Sequence, residues 1–166
     1  LQTNVPNIYA VGDVTGKVLL AHVASTQGLK AVQNIFGEEK EAMDYDVIPA
    51  CIFTHPEIAS VGKTEDDMTE AGMESKVGKF FFKGNGKALT INDQNGFVKV
   101  VADENDQIMG AQIVGPHAAD LIHEMALAIE NKLKVEDITE TIHAHPTLSE
   151  SVLEAVEDIH GLAVHK

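Results

Sequence analysis

A chain of 166 residues can bury one respectable core with a small appendage. Its 26 acidic and 12 basic residues leave a formal charge of −14 with no basic run, which argues against nucleic acid as a partner. A hydrophobic fraction of 44%, without any apolar run near the ~18 residues of a membrane span, fits a soluble globular domain with no membrane partner. No secretory leader is visible. A single cysteine, Cys51, rules out an internal disulfide framework and fits a reducing, cytoplasmic compartment. Leu1 opens the chain inside what reads as an ordered segment, so an excised or processed piece of a longer protein is expected.

"NIYAVGD" from Asn7 predicts a short buried strand closed by a turn at Gly12-Asp13. A helix follows in "LLAHVASTQGLKAVQNIFG", with Ala21, Ala24, Gly28, Ala31, Val32 and Ile35 at helical spacing and Gly37 as the stop. The acidic "GEEKEAMDYD" reads as a linker, which divides the chain into residues 1–40 and 45–166. Next come two short apolar runs, "ACIF" and "IASVG", separated by Thr54-His55-Pro56. Thr64 and the acids after it cap a helix that ends at Ala71-Gly72. "SKVGKFFF", "GFVKVVAD" and "QIMGAQIVG" predict strands, the last two joined as a hairpin, while "NGKALTINDQN" stays unassigned. Ala118, Leu121, Ile122, Met125 and Ile129 form the stripe of an amphipathic helix. A short turn near Val135 to Thr139 precedes a closing helix whose face carries Leu148, Val152, Ala155, Val156 and Ile159, up to Gly161. Strands first and helices last argue an α+β fold, an antiparallel sheet covered by helices on one side.

Three readings compete for "HAHPTLSE". Thr147 and Glu150 have the spacing of a capping box, in which the carboxylate would serve the helix start. Alternatively His145 is an acid/base group, since a histidine exchanges protons near neutral pH, and Glu150 orients its ring. The two roles compete for one carboxylate. A metal site at His143 and His145 lacks further ligands at recognisable spacing, and His123-Glu124 lacks the second histidine of a zincin, since Leu127 stands there. No metal is expected. Gly12-Asp13 is either a plain tight turn or the place where an aspartate after a strand holds ribose or ribityl hydroxyls.

"TNVPNIYAVGD", with Thr3, Tyr9, Ala10, Gly12 and Asp13, resembles the second flavin-binding motif of the pyridine nucleotide-disulfide oxidoreductases. "LLAH", Leu19, Leu20, Ala21 and His22, is similar to the stretch that touches the flavin ring there, and "FTHPEIASVG" resembles the first strands of the family's interface domain. "HAHPTLSE" resembles the family's C-terminal active-site motif, most closely that of its branch oxidising dihydrolipoyl groups. The resemblance implies that residues 1–40 are the last strand and helix of an FAD-binding domain and 45–166 the dimerisation domain. It implies FAD at Asp13 and Leu19 to His22, NAD as second cofactor, a homodimer, and lipoyl-bearing subunits of 2-oxo acid dehydrogenase or glycine cleavage complexes as partners. It makes His145 the base facing the partner subunit's redox disulfide, with Glu150 as its hydrogen-bonding partner. The redox cysteine pair and both G-x-G-x-x-G loops are absent from this sequence. Alone, the chain is therefore expected to be inactive and to hold neither cofactor, with Cys51 an inert core residue.

Overall fold

The computed structural model describes residues 1–38 and 40–166. It divides into two compact units, Leu1–Ile48 and Pro49–Lys166.

In the first unit the predicted strand does not form. Gln2 and Tyr9 make one isolated bridge, Gly12–Thr15 winds into a 3-10 turn, and Ile8 and Val11 stay exposed. A strand needs a hydrogen-bonded neighbour, and the described residues of this unit supply no ladder for it. Helix α1 (Ala21–Phe36) forms as expected, ended by Gly37, but it buries a different face from the predicted stripe. Val23, Gln27, Ala31 and Asn34 are buried, while Val32 and Ile35 are exposed. The two polar residues explain the rotation. Gln27 Oε1 accepts from Gly12 N at 2.6 Å and its Nε2 donates to Tyr45 Oη at 3.0 Å. Asn34 exchanges two hydrogen bonds with the backbone of Glu41, at 2.7 and 3.0 Å. The segment predicted as a linker is thus strapped onto α1; Glu39 within it lies outside the described residues.

The second unit is built on strands β1 (Ala50–Ile52), β2 (Glu57–Gly62), β3 (Ser75–Phe81), β4 (Phe97–Asp103) and β5 (Ile108–Gly115). They form one antiparallel sheet in the order β1-β2-β5-β4-β3, so the α+β architecture holds. The register aligns Phe80, Val98, Ile113 and Ala59 in one row across four strands, all of them buried. Between β2 and β3 lies α2 (Glu65–Glu70), opened by the expected Thr64 cap, to which Asp67 adds the reciprocal bond of a capping box. The unassigned stretch contains a short helix, α3 (Gly86–Thr90), whose first turn is capped by Asn85 Oδ1 accepting from Ala88 N at 2.9 Å.

Helices α4 (Ala118–Glu130), α5 (Val135–Thr139) and α6 (Glu150–Asp158) complete the unit. α4 packs on β2 and β5, and α6 on β3 and β4. α6 comes down onto β3 at Gly78, where a Cβ would lie 2.0 Å from the Ala155 carbonyl oxygen. The glycine is what allows that approach. No helix among the described residues is long and apolar enough to cross a membrane.

Candidate active site

The loop between α5 and α6 carries "HAHPTLSE". His145 presents its ring outward, with 76% of the side chain exposed, and its Nδ1 lies 2.8 Å from Glu150 Oε1. The second oxygen, Oε2, accepts from Thr147 N at 2.8 Å. The two roles that compete in the sequence are thus shared between the two oxygens of one carboxylate. Only half of the capping box forms. Thr147 Oγ1 donates back to the Ala144 carbonyl at 2.7 Å, and the helix begins at Glu150 with Ser149 ahead of it. Both His145-Pro146 and His55-Pro56 are cis.

Burial pushes the Glu150 carboxyl up, but the Thr147 amide and the His145 ring outweigh it and hold the group below the ordinary carboxylate range. His145 Nε2 has no partner among the described residues, so the ring is tied at one nitrogen and open at the other. That is the arrangement of an oriented acid/base imidazole.

Around the pair is a cavity of about 210 Å³ whose lining includes Asn85, Gly86, Leu89, His145, Glu150, Glu154 and His165. Asn85 is buried and donates through Nδ2 to the Thr147 carbonyl at 3.0 Å, fixing the loop from below. Glu154, one turn after Glu150, holds the C-terminal tail. Its Oε2 accepts from Val164 N and His165 N, and its Oε1 meets His165 Nδ1 at 2.5 Å. Sequence reasoning misses Asn85, Glu154 and His165. An Asn-Gly step before a short helical run is a cap signal for the first, and the i+4 spacing from Glu150 points to the second. Nothing local marks the third.

The hydrogen bond to Glu154, and then its charge, hold the His165 imidazole above its ordinary range. That pairing holds the tail fully below the ordinary histidine value of about 6.5 and releases it as pH rises through the raised value. In an NMR titration the His165 ring is expected to show a raised midpoint that falls in Glu154→Gln. A midpoint indifferent to that substitution would contradict the pairing.

The remaining predicted residues lie in the first unit. Asp13 sits exposed in the 3-10 turn, Leu19 is exposed, and Leu20 precedes α1 without a side-chain cap; Ala21 and His22 open the helix. The amide-bearing start of a long helix, with a carboxylate in the preceding turn, suits a polar ring edge and a polyhydroxyl chain. These residues fit part of a flavin site; no dinucleotide phosphate loop accompanies them in the sequence. Cys51 lies on β1, and burial, followed by Glu57 and Asp120, pushes its thiol up, away from thiolate chemistry. His123 is exposed on α4, and no three histidine, cysteine or carboxylate side chains cluster as a metal site among the described residues.

The family described as pyridine nucleotide-disulphide oxidoreductase, dimerisation domain, matches residues 48–156. The chain belongs to this family. It is similar to proteins named dihydrolipoyl dehydrogenase, from Chlamydia pneumoniae at 54% identity over 90% of this chain and 32% of the relative, and from Haloferax volcanii at 51% over 99% and 35%. The chain spans about a third of the length of these relatives. Among solved structures it resembles LpdA from Mycobacterium tuberculosis, with TM-score 0.84 and 31% identity over 90% of this chain and 33% of that one. It also resembles RclA, an HOCl-induced flavoprotein disulfide reductase from Escherichia coli, with TM-score 0.86 and 25% identity over 91% of this chain and 35% of that one. The dimerisation-domain match covers the sheet, α4, α5 and most of α6, the same elements that carry His145 and Glu150.

Proposed function

We propose that this chain is the C-terminal part of a flavin-dependent dihydrolipoyl dehydrogenase that oxidises dihydrolipoyl groups with NAD. Residues 45–166 form its dimerisation domain, and residues 1–40 belong to its FAD-binding domain. The observation that carries the reading is the His145–Glu150 pair, with Nδ1 2.8 Å from the carboxylate and the ring's other nitrogen open.

Dithiol chemistry explains why such a ring is useful. A thiol attacks a disulfide only as thiolate, and free thiols have pKa values near 8.5. In the proposed reaction His145 Nε2 takes the proton of one substrate thiol. The resulting thiolate attacks a sulfur of the partner subunit's redox disulfide, that S–S bond breaks, and a mixed disulfide and a new thiolate remain. The second substrate thiol gives its proton to that new thiolate and, as thiolate, attacks the substrate sulfur of the mixed disulfide; that S–S bond breaks, closing the lipoyl ring and freeing the reduced pair. Glu150 holds the ring in place and stabilises its charged form, and Asn85 and Thr147 fix the loop. Flavin, held in part by Asp13 and Leu19 to His22, supplies two-electron transfer from the reduced pair to NAD when bound.

The proposal makes the enzyme a cytoplasmic homodimer that serves lipoyl-bearing subunits of 2-oxo acid dehydrogenase complexes. Two-fold association through 45–166 is expected to give twice the chain mass in light scattering at tens of micromolar, and a monomer there would count against it. The likeness to RclA favours a second reading, a disulfide reductase with another dithiol partner. Dihydrolipoamide-driven NAD reduction, measured beside reduction of glutathione disulfide by the full-length flavoenzyme, separates the two: a rate confined to the latter would replace the first reading with the second.

A further inference from the structure

The loop carrying His145 contains a second histidine that the proposed proton transfer leaves unused. His143 keeps only 5% of its side chain exposed, against 76% for His145. Each of its ring nitrogens faces an oxygen acceptor: Nδ1 lies 2.9 Å from the Thr141 carbonyl, and Nε2 lies 2.9 Å from Glu124 Oε1. Glu124 belongs to α4, where Ile122 and Met125 beside it are fully buried and the helix is packed on β2 and β5. The carboxylate is thus mounted on a fixed element.

The loop at 140–149 has no regular ladder of its own. Thr147 is tied on its C-terminal side by Glu150 and Asn85. On the N-terminal side of His145, the His143–Glu124 bond ties the loop to α4. A nonpolar side chain could fill the same space, but it would supply no directional bond to α4. Anchors on both sides of His145 leave its backbone little freedom to rotate, and proton transfer depends on alignment within a fraction of an ångström.

We propose that Glu124 and His143 are positioning residues, a pair that sets the direction of the His145 ring by holding its loop to α4. The proposal rests on the proton-transfer reading of His145.

The test uses the full-length flavoenzyme with Glu124→Ala and His143→Phe, which remove the bond from either side, both together, and His145→Gln as reference. Turnover is expressed per bound flavin, so that loss of folded protein does not pass for loss of rate. Each single variant is expected to lose about ten- to a hundredfold in kcat, with KM for dihydrolipoamide within about twofold, because alignment rather than binding is affected. The double variant is expected to be no worse than the poorer single one, as for two residues acting through one bond. Wild-type kcat in both single variants beside an inactive His145→Gln overturns the pair, and so do losses that multiply in the double variant. Full activity in His145→Gln instead overturns the proton-transfer reading, and the pair with it.

Discussion

His145→Gln in the proposed flavoenzyme is expected to lower dihydrolipoamide-dependent NAD reduction by about 10²- to 10⁴-fold, the usual contribution of a positioned base. Glutamine fills a similar volume and can still donate toward Glu150, so the loop keeps its local partner. What it cannot do is accept a thiol proton at the position of Nε2 and return it. The loss therefore falls on kcat, and KM changes little. It should shrink at high pH, where the substrate thiol ionises unaided above about 8.5. Steady-state turnover against pH checks both points; full activity across the range would reduce the segment to a helix entry.

Gly78→Val is expected to unseat α6 from the sheet. Even a Cβ at Gly78 would sit 2.0 Å from Ala155 O and 2.7 Å from Ile159 N, both backbone atoms of the α6 region. Neither can rotate away, so the helix must lift from β3. Overpacking of this kind costs about 3 kcal/mol, or a fall of roughly 6 to 12 °C in the thermal midpoint. Because α6 carries Glu150 and Glu154, the displacement reaches the site, and turnover should fall with stability. Gly28→Ala is the internal comparison. Nothing lies within 4 Å of its added Cβ, and alanine favours a helix. An unchanged midpoint in Gly78→Val would mean that α6 does not seat on β3 at this glycine.

The sheet was legible because its strands are short apolar runs bounded by polar turns, so β2 to β5 follow from local pattern. The Thr64 cap was legible for the same reason: its partner, Asp67, is three residues away. The failures have a common cause in distance or context. The strand over Ile8 to Val11 depends on neighbours, and no local pattern supplies them. The buried face of α1 contains Gln27 and Asn34 because Gly12, Tyr45 and Glu41 meet them, and hydrophobic periodicity cannot anticipate that.

At the candidate site, the pairing of His145 with Glu150 was readable from the motif, though the sequence set cap and ring contact against each other where the structure gives each hydrogen bond its own oxygen. The supporting pairs lie further apart. Glu124 and His143 are separated by 19 residues, and Glu154 and His165 by 11, with no periodic signal linking them. Only the packing of α4, α6 and the tail brings them together.

A site shared between subunits is tested most directly by complementation between two inactive chains. One full-length subunit carries His145→Gln with its redox cysteines intact; the other keeps His145 but has those cysteines replaced. Co-expressed with different tags and purified as the heterodimer, the pair is expected to recover the turnover of one intact site if, as proposed, the second subunit's His145 serves the first subunit's disulfide. A heterodimer as inactive as either parent would contradict the account, placing base and disulfide in the same subunit.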